Sequence, residues 1–131
     1  AHVVTSPLTR CRRLAERVAA AQGVVARTDP LWTEMDFGRW EGRPWADLPR
    51  GKMDAWAEDF YHARPHRGET VAELRDRVGR ALAALPPAPV VVVTHMGAIK
   101  AALHLEGQAG AWEHTVPFGT PVRLRDQGVP Q

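Results

Sequence analysis

Apolar positions along this chain fall into blocks of two different periods. His2-Val3-Val4-Thr5 and Val90-Val91-Val92-Val93 are short runs rich in β-branched residues, the pattern of strands. The four consecutive valines show no polar alternation, which predicts a strand buried on both faces, as in a parallel sheet. Elsewhere the period is helical. Leu8, Cys11, Leu14, Ala15, Val18 and Ala19 mark a first helix, with Ser6 as its predicted N-cap, Pro7 at its first position and Gly23 at its end. Val24 and Val25 are the predicted start of the next strand. Met53, Trp56, Ala57, Phe60 and Tyr61 line one face of a second helix, which ends before Pro65. Thr70 and Glu73 form a capping box for a third, with a stripe of Val71, Leu74, Val78, Ala81, Leu82 and Leu85 and a stop at Pro86-Pro87. A last helix runs from Ala98 to Leu105. Pro121 to Leu124 reads as a short strand, followed by a polar tail. Strands alternating with helices predict an α/β domain with a mostly parallel sheet.

One stretch follows neither period. Residues 31–42, Leu-Trp-Thr-Glu-Met-Asp-Phe-Gly-Arg-Trp-Glu-Gly, are too rich in aromatics for a linker and predict a structured loop. Trp32, Trp40, Trp45 and Trp56 read as packing before they read as a ligand cage, although some flank Glu34 and are placed to line a pocket beside it.

Composition narrows the classes. The 131 residues predict one domain, and 44% hydrophobic with 24% charged residues is ordinary for a globular protein. No apolar run approaches the ~20 residues that span a bilayer. The first residues do not read as a charged-then-apolar signal segment, and Ala1 is not taken as the natural start. Cys11, alone of its kind, falls on an apolar helix face and reads as a buried structural thiol in a reducing, cytoplasmic setting. The net charge is +2, and fifteen of the seventeen basic residues are Arg. These are interleaved with acids along the whole chain, with no basic tail or aromatic RNA-binding pattern, which argues against nucleic acid. An anionic small molecule needs only two or three converging Arg or His groups. His62 and His66 are four apart, but Pro65 interrupts the helix between them and no further ligands complete a metal site. Glu34, Asp36 and Glu41 offer an acid pair for glycoside hydrolysis, but without carbohydrate-facing aromatics at a known separation this stays a minor alternative.

Two places carry the candidate chemistry. The valine strand runs into Thr94-His95-Met96-Gly97 and then a helix. That delivers His95 to the carboxyl end of a strand, where α/β sheets bind ligands, beside a helix N-terminus with free N–H groups for an anion. The same packing also suits a capped core histidine, and the local pattern does not separate the two. The first strand repeats the arrangement, running through Ser6-Pro7 to Arg10 in the first turn of a helix. Arg13 and Arg17, further along, read as a solvated face.

Together these segments resemble a known family. Thr5-Ser6-Pro7-Leu8-Thr9-Arg10, Glu34-x-x-Phe37-Gly38-x-Trp40-Glu41-Gly42, Gly68-Glu69-Thr70 and Val93-Thr94-His95-x-Gly97 occur in the order and spacing of the histidine phosphatase superfamily, the phosphoglycerate-mutase-like fold. The segment from Trp40 to Phe60, with Trp45, Asp47, Leu48, Pro49 and Trp56, is most similar to the α-ribazole phosphatase branch of cobalamin assembly. The resemblance implies a three-layer α/β/α domain over residues 1–131. It also implies hydrolysis of a small phosphomonoester through a phosphohistidine, without metal or cofactor. Arg10 matches a phosphate-clamping Arg, His95 the second histidine at the phosphoryl group, and Glu34 the acid that protonates the leaving oxygen. Ser6, Thr94, Gly97 and Trp40 are the expected phosphate and substrate contacts. A homodimer is left open.

The chain departs from the family at one decisive point. The nucleophilic His belongs to an Arg-His-Gly motif at the end of the family's first strand, and the 131 residues contain no such motif. His2 stands at the start of a strand, not its end. The expected domain therefore lacks its first strand, and an incompletely represented polypeptide is favoured over a pseudoenzyme because Arg10, Glu34 and His95 persist together. The short segment between Gly42 and Gly68 favours a phosphatase over a mutase. A catalytically inactive phosphate-binding or interaction domain is the competing class. Lys100 stands where the family often has Arg.

Overall fold

The computed structural model of the protein describes residues 2–117 and 119–124; the polar tail beyond Leu124 and the side chain of Trp45 lie outside the described residues. Three strands form one sheet: β1 (His2–Thr5), β2 (Ala26–Thr28) and β3 (Val90–Val93). Their order is β2-β1-β3, and both pairings are parallel, with Val3 opposite Ala26 on one side and Val91 on the other. Four helices complete it: α1 (Thr9–Gln22), α2 (Arg50–Glu58), α3 (Val71–Ala83) and α4 (Met96–Leu105). Short 3-10 turns at Pro30–Trp32, Gly38–Trp40, Trp45–Asp47 and Ala111–Glu113 punctuate the connections.

Strand alternation sorts the core into two layers. Val3 packs with Ala15, Ala19 and Val93 beneath α1. Val4, one residue on, faces the other way into a larger cluster with Leu74 and Val78 of α3, Ala98, Ala101 and Ala102 of α4, and Val90 and Val92. The domain is thus the expected α/β/α sandwich. Ala98, Ala101 and Ala102 of α4 meet the sheet's Val4, Val90 and Val92 in this cluster, and α3 packs against α4. Each fully buried Leu or Val in this layer is worth about 1.5–3 kcal/mol of transfer free energy.

Several boundaries differ from the sequence pattern for local reasons. The first helix begins at Thr9 with Leu8 as N-cap; the Ser6 Oγ accepts a long bond from Leu8 N at 3.4 Å and lies closer, 2.9 Å, to His95 Nε2. At its other end Gly23 adopts a left-handed conformation (φ 71°), and the Val24 N–H donates to Ala19 O. That bond commits Val24 to the helix cap, so β2 starts only at Ala26 and Val25 is left 90% exposed. The second helix stops at Glu58, where Asp59 leaves helical geometry. Phe60 and Tyr61 lie beyond it in a turn, yet still pack against the larger cluster. The capping box of Thr70 and Glu73 forms in both directions. Residues 121–124 form no strand: Pro121 has no N–H to offer a ladder, though Leu124 touches the core. The four valines of β3 are not buried on both faces. Among the described residues β3 pairs only with β1, and Val91 is 39% exposed.

Candidate active site

The sheet brings together two strand ends that are far apart in sequence. The Ser6 N–H donates to Val93 O at 2.9 Å, which pins the exit of β1 beside the exit of β3. His95 follows as the N-cap of α4, in extended conformation. The Ser6 Oγ then lies 2.9 Å from His95 Nε2, and Arg10 Nη2, on the first turn of α1, lies 3.3 Å from His95 Nδ1. A guanidinium can only donate, so Nδ1 must accept. The ring proton is therefore on Nε2, and the imidazole donates it to the Ser6 hydroxyl. Burial holds the His95 pKa below its ordinary value; the carboxylate of Glu34 opposes that shift, and Arg10 and Arg77 add to it.

This arrangement excludes two chemistries. A Ser–His contact at 2.9 Å suggests a nucleophilic serine, but an Nε2 that carries the proton cannot take one from Oγ. Ser6 is also fully buried. Its hydroxyl fixes the imidazole and turns Nδ1 toward Arg10. Cys11 Sγ lies 3.6 Å from Nε2 and donates to Thr94 O at 3.7 Å. Burial pushes its thiol pKa up, so it is packing for the His95 ring and not a thiolate.

Glu34 approaches from the loop that follows β2. Its Oε1 accepts from its own neighbour, Met35 N, at 2.9 Å, and its Oε2 accepts from Gly97 N at 3.1 Å. Gly97 has no side chain for a direct reason: a Cβ there would run into the Glu34 carboxylate. The N-terminus of α4 therefore does not present all its N–H groups to a ligand, as the sequence pattern implied. Glu34 already occupies the Gly97 N–H, where a helix start favours negative charge.

Two expected contacts go elsewhere. Thr94 Oγ1 donates to Trp32 O, tying β3 to the Pro30–Trp32 turn. Trp40 is 5% exposed and stands edge-on to His66 (centroids 5.1 Å) and Trp56 (5.7 Å). It belongs to an aromatic cluster with His66 and Trp56. His66 is the centre of that cluster, fully buried. Its Nδ1 accepts from Gly68 N at 2.8 Å, which leaves Nε2–H among the rings, and burial holds its pKa below the ordinary value. Its carbonyl accepts from Arg39 N at 2.7 Å. Gly38 and Gly68 pack backbone to backbone: Gly38 has φ +53°, and a Cβ on Gly68 would strike Asp36 O. Two of the motifs read from sequence are thus one packing unit. No three His, Cys, Asp or Glu that could hold a metal ion converge among the described residues.

One residue beside the site, Arg77, escaped the sequence reading; its partner Glu69 belongs to the Gly68-Glu69-Thr70 motif. Arg77 on α3 forms a bidentate ion pair with Glu69 at 2.8 Å, with both side chains about 85% buried by their 16% and 15% exposure. The signal was present: Arg77 falls three residues after Leu74 and four before Ala81, at the edge of an apolar stripe where an unpaired charge is not tolerated. Together with Thr33, Glu34 and Asp36 the pair lines an open groove of about 480 Å³, which Arg10 and His95 do not line.

With the geometry established, comparison with known proteins decides the lineage. The histidine phosphatase superfamily (branch 1) profile matches residues 1–116. The chain belongs to this superfamily. It is 32% identical over 104 residues to the adenosylcobalamin/alpha-ribazole phosphatase of Escherichia coli, which covers 74% of this chain and 51% of that protein. The crystal structure of the alpha-ribazole phosphatase from Shigella flexneri superposes with a TM-score of 0.70 at 27% identity, over 86% of this chain and 60% of that one. The phosphoglycerate mutase of Thermus thermophilus gives 0.61 at 31% identity, over 83% and 60%. The chain thus spans about half the length of the first of these relatives. Histidine phosphatases and mutases share this fold, and no helix among the described residues is long and apolar enough to cross a membrane.

Proposed function

We propose that the natural protein is a phosphomonoester hydrolase working through a phosphohistidine, with α-ribazole 5'-phosphate as its substrate, in the reducing setting that a buried free Cys11 suits. One observation carries this reading. Arg10 and His95 converge at 3.3 Å beside the strand exits, and Glu34 rests on Gly97, two residues from His95. An anion seated between Arg10 and His95 displaces their mutual hydrogen bond and meets Nδ1, so it binds with uptake of one proton on that nitrogen. The doubly protonated ring then donates from Nε2 to Ser6 and from Nδ1 to a phosphoryl oxygen, where charge must be stabilised in transfer. In the first step a histidine nitrogen bonds phosphorus, the ester P–O bond breaks, and Glu34 gives the leaving oxygen its proton. In the second, Glu34 takes a proton from water as water attacks the phosphohistidine, and inorganic phosphate departs.

The attacking histidine is the group these 131 residues do not supply in its motif. We place it on a further strand ending in Arg-His-Gly. The exposed Val91, on a β3 that pairs on one side only among the described residues, supports such a neighbour. The test is the encoding DNA and then the protein it specifies. An in-frame Arg-His-Gly codon run upstream of Ala1 is expected, and the longer protein should release phosphate from α-ribazole 5'-phosphate. A stop codon immediately before Ala1 would overturn it. The absent motif would then favour the second reading, a phosphate-binding domain without turnover.

A further inference from the structure

We infer that Arg77, with Glu69 as its counter-ion, is the positioning residue for Glu34; the inference rests on the reading of Glu34 given above. The guanidinium uses every donor it has. Nε and Nη2 bind the two Glu69 oxygens at 2.9 and 2.8 Å. Nη1 donates to Leu31 O at 2.8 Å and Thr33 O at 2.7 Å, and the remaining Nη2 hydrogen reaches Glu34 O at 3.4 Å. Glu69 ties a second point: its Oε1 accepts from Asp36 N at 3.2 Å, and its own N–H donates to Asp36 O at 2.7 Å. The backbone is therefore gripped on both sides of Glu34, at residues 31, 33 and 36, by side chains anchored on or just before α3.

The consequence reaches the chemistry through geometry. The Glu34 carboxylate touches Gly97 N across 3.1 Å with no room to spare on the Cα side. It keeps that contact only while the loop carrying it holds its distance from α4. α3 packs on α4, so Arg77 transmits a fixed spacing from one helix pair to the acid. No lysine substitutes for this: an ammonium offers three donors from one point, whereas Arg77 spreads five over a planar fork.

Amide NMR and hydrogen exchange on the full chain test this. The Gly97 and Met35 amide resonances report the Glu34 carboxylate directly, and Glu34→Gln calibrates its loss. In Arg77→Lys both resonances are expected to move toward their Glu34→Gln positions. Gly97 exchange should rise about tenfold or more, the equivalent of a lost hydrogen bond of about 1.4 kcal/mol. The β1 and β3 amides of Val4 and Val92 should hold still. A purely structural Arg77 would lower global stability and leave Gly97 and Met35 in place, which overturns the inference. Glu69→Gln keeps the three carbonyl bonds of Arg77 and serves if Arg77→Lys fails to fold: an intermediate displacement of Gly97 is expected, and none overturns the inference. Hydrolysis by the longer protein is read separately. If Glu34→Gln leaves that rate intact while Gly97 still moves in Arg77→Lys, the positioning stands and the acid role of Glu34 falls.

Discussion

Two regions of this molecule hold the candidate site's side chains by opposite means. The frame of β1, β3, α1 and α4 places Ser6, Arg10 and His95 with regular backbone: parallel ladders, helix starts and one cross-strand bond from Ser6 N to Val93 O. The block from Pro30 to Thr70 places Glu34 with almost none. It relies on short 3-10 turns, two glycines in backbone contact, an aromatic cluster around His66 and the Arg77–Glu69 clamp. In the frame, a side chain's position follows from its element. In the block, it follows from particular side-chain-to-backbone bonds, so single substitutions there act locally and sharply.

The largest effect expected from this contrast is at Gly68. Gly68→Ala forces a Cβ into Asp36 O and should cost about 3 kcal/mol or more in urea unfolding. Leu74→Ala on α3, which packs on the frame through Val4 and the alanines of α4, should cost about 2–5 kcal/mol as a core cavity at its 1% exposure. The distinction lies in the signals. Gly68→Ala should change the near-UV circular dichroism of the tryptophans and open residues 36–68 to protease while far-UV signal persists, whereas Leu74→Ala lowers every probe together. Coincident loss of all probes in Gly68→Ala would show that frame and block are one cooperative unit.

Anion binding probes the frame next. Calorimetric titration with phosphate or vanadate should show Arg10→Ala and His95→Ala each weakening affinity about tenfold or more, since hydrogen bonds to charged groups are worth about 1.5–3 kcal/mol. Because the anion requires a proton on His95 Nδ1, affinity should fall as pH rises through neutrality. Equal binding by the wild type and the double variant would remove the site.

Acid stability then compares one buried histidine from each region. Burial lowers the pKa of both His66 and His95 from 6.5. As pH falls past that value the unfolded chain takes up protons that the folded one resists, so stability is whole above about pH 6.5 and declines below it. Tm measured from pH 8 to pH 5 should fall accordingly. His66→Phe should flatten that slope by removing the contribution of the block, and saturating phosphate should flatten it by protonating His95 in the fold.

The smallest effect is expected at Ser6. Ser6→Ala frees His95 Nε2 and should weaken anion affinity only about two- to tenfold, the difference between the charged bond to Ser6 in the complex and the neutral one without the anion. Its signature is the imidazole 15N spectrum, which should show the Nε2–H tautomer losing its dominance. An unchanged spectrum would mean that Arg10 alone sets the ring.

The frame was legible in the sequence because periodic burial leaves a periodic trace. β-branched runs, helical stripes and the Thr70–Glu73 capping box each state their element locally, and Ser6, Arg10 and His95 follow from where those elements end. Tertiary structure alone decided what these residues touch. It set the Ser6 hydroxyl against His95, engaged the Gly97 N–H of α4 with Glu34, and buried Trp40 against His66. It also gave Arg77 its role, through partners 43 to 46 residues away in sequence. Such contacts depend on how segments without a period fold back on one another, and a side chain's hydrogen-bond partner leaves no periodic mark on the chain that carries it.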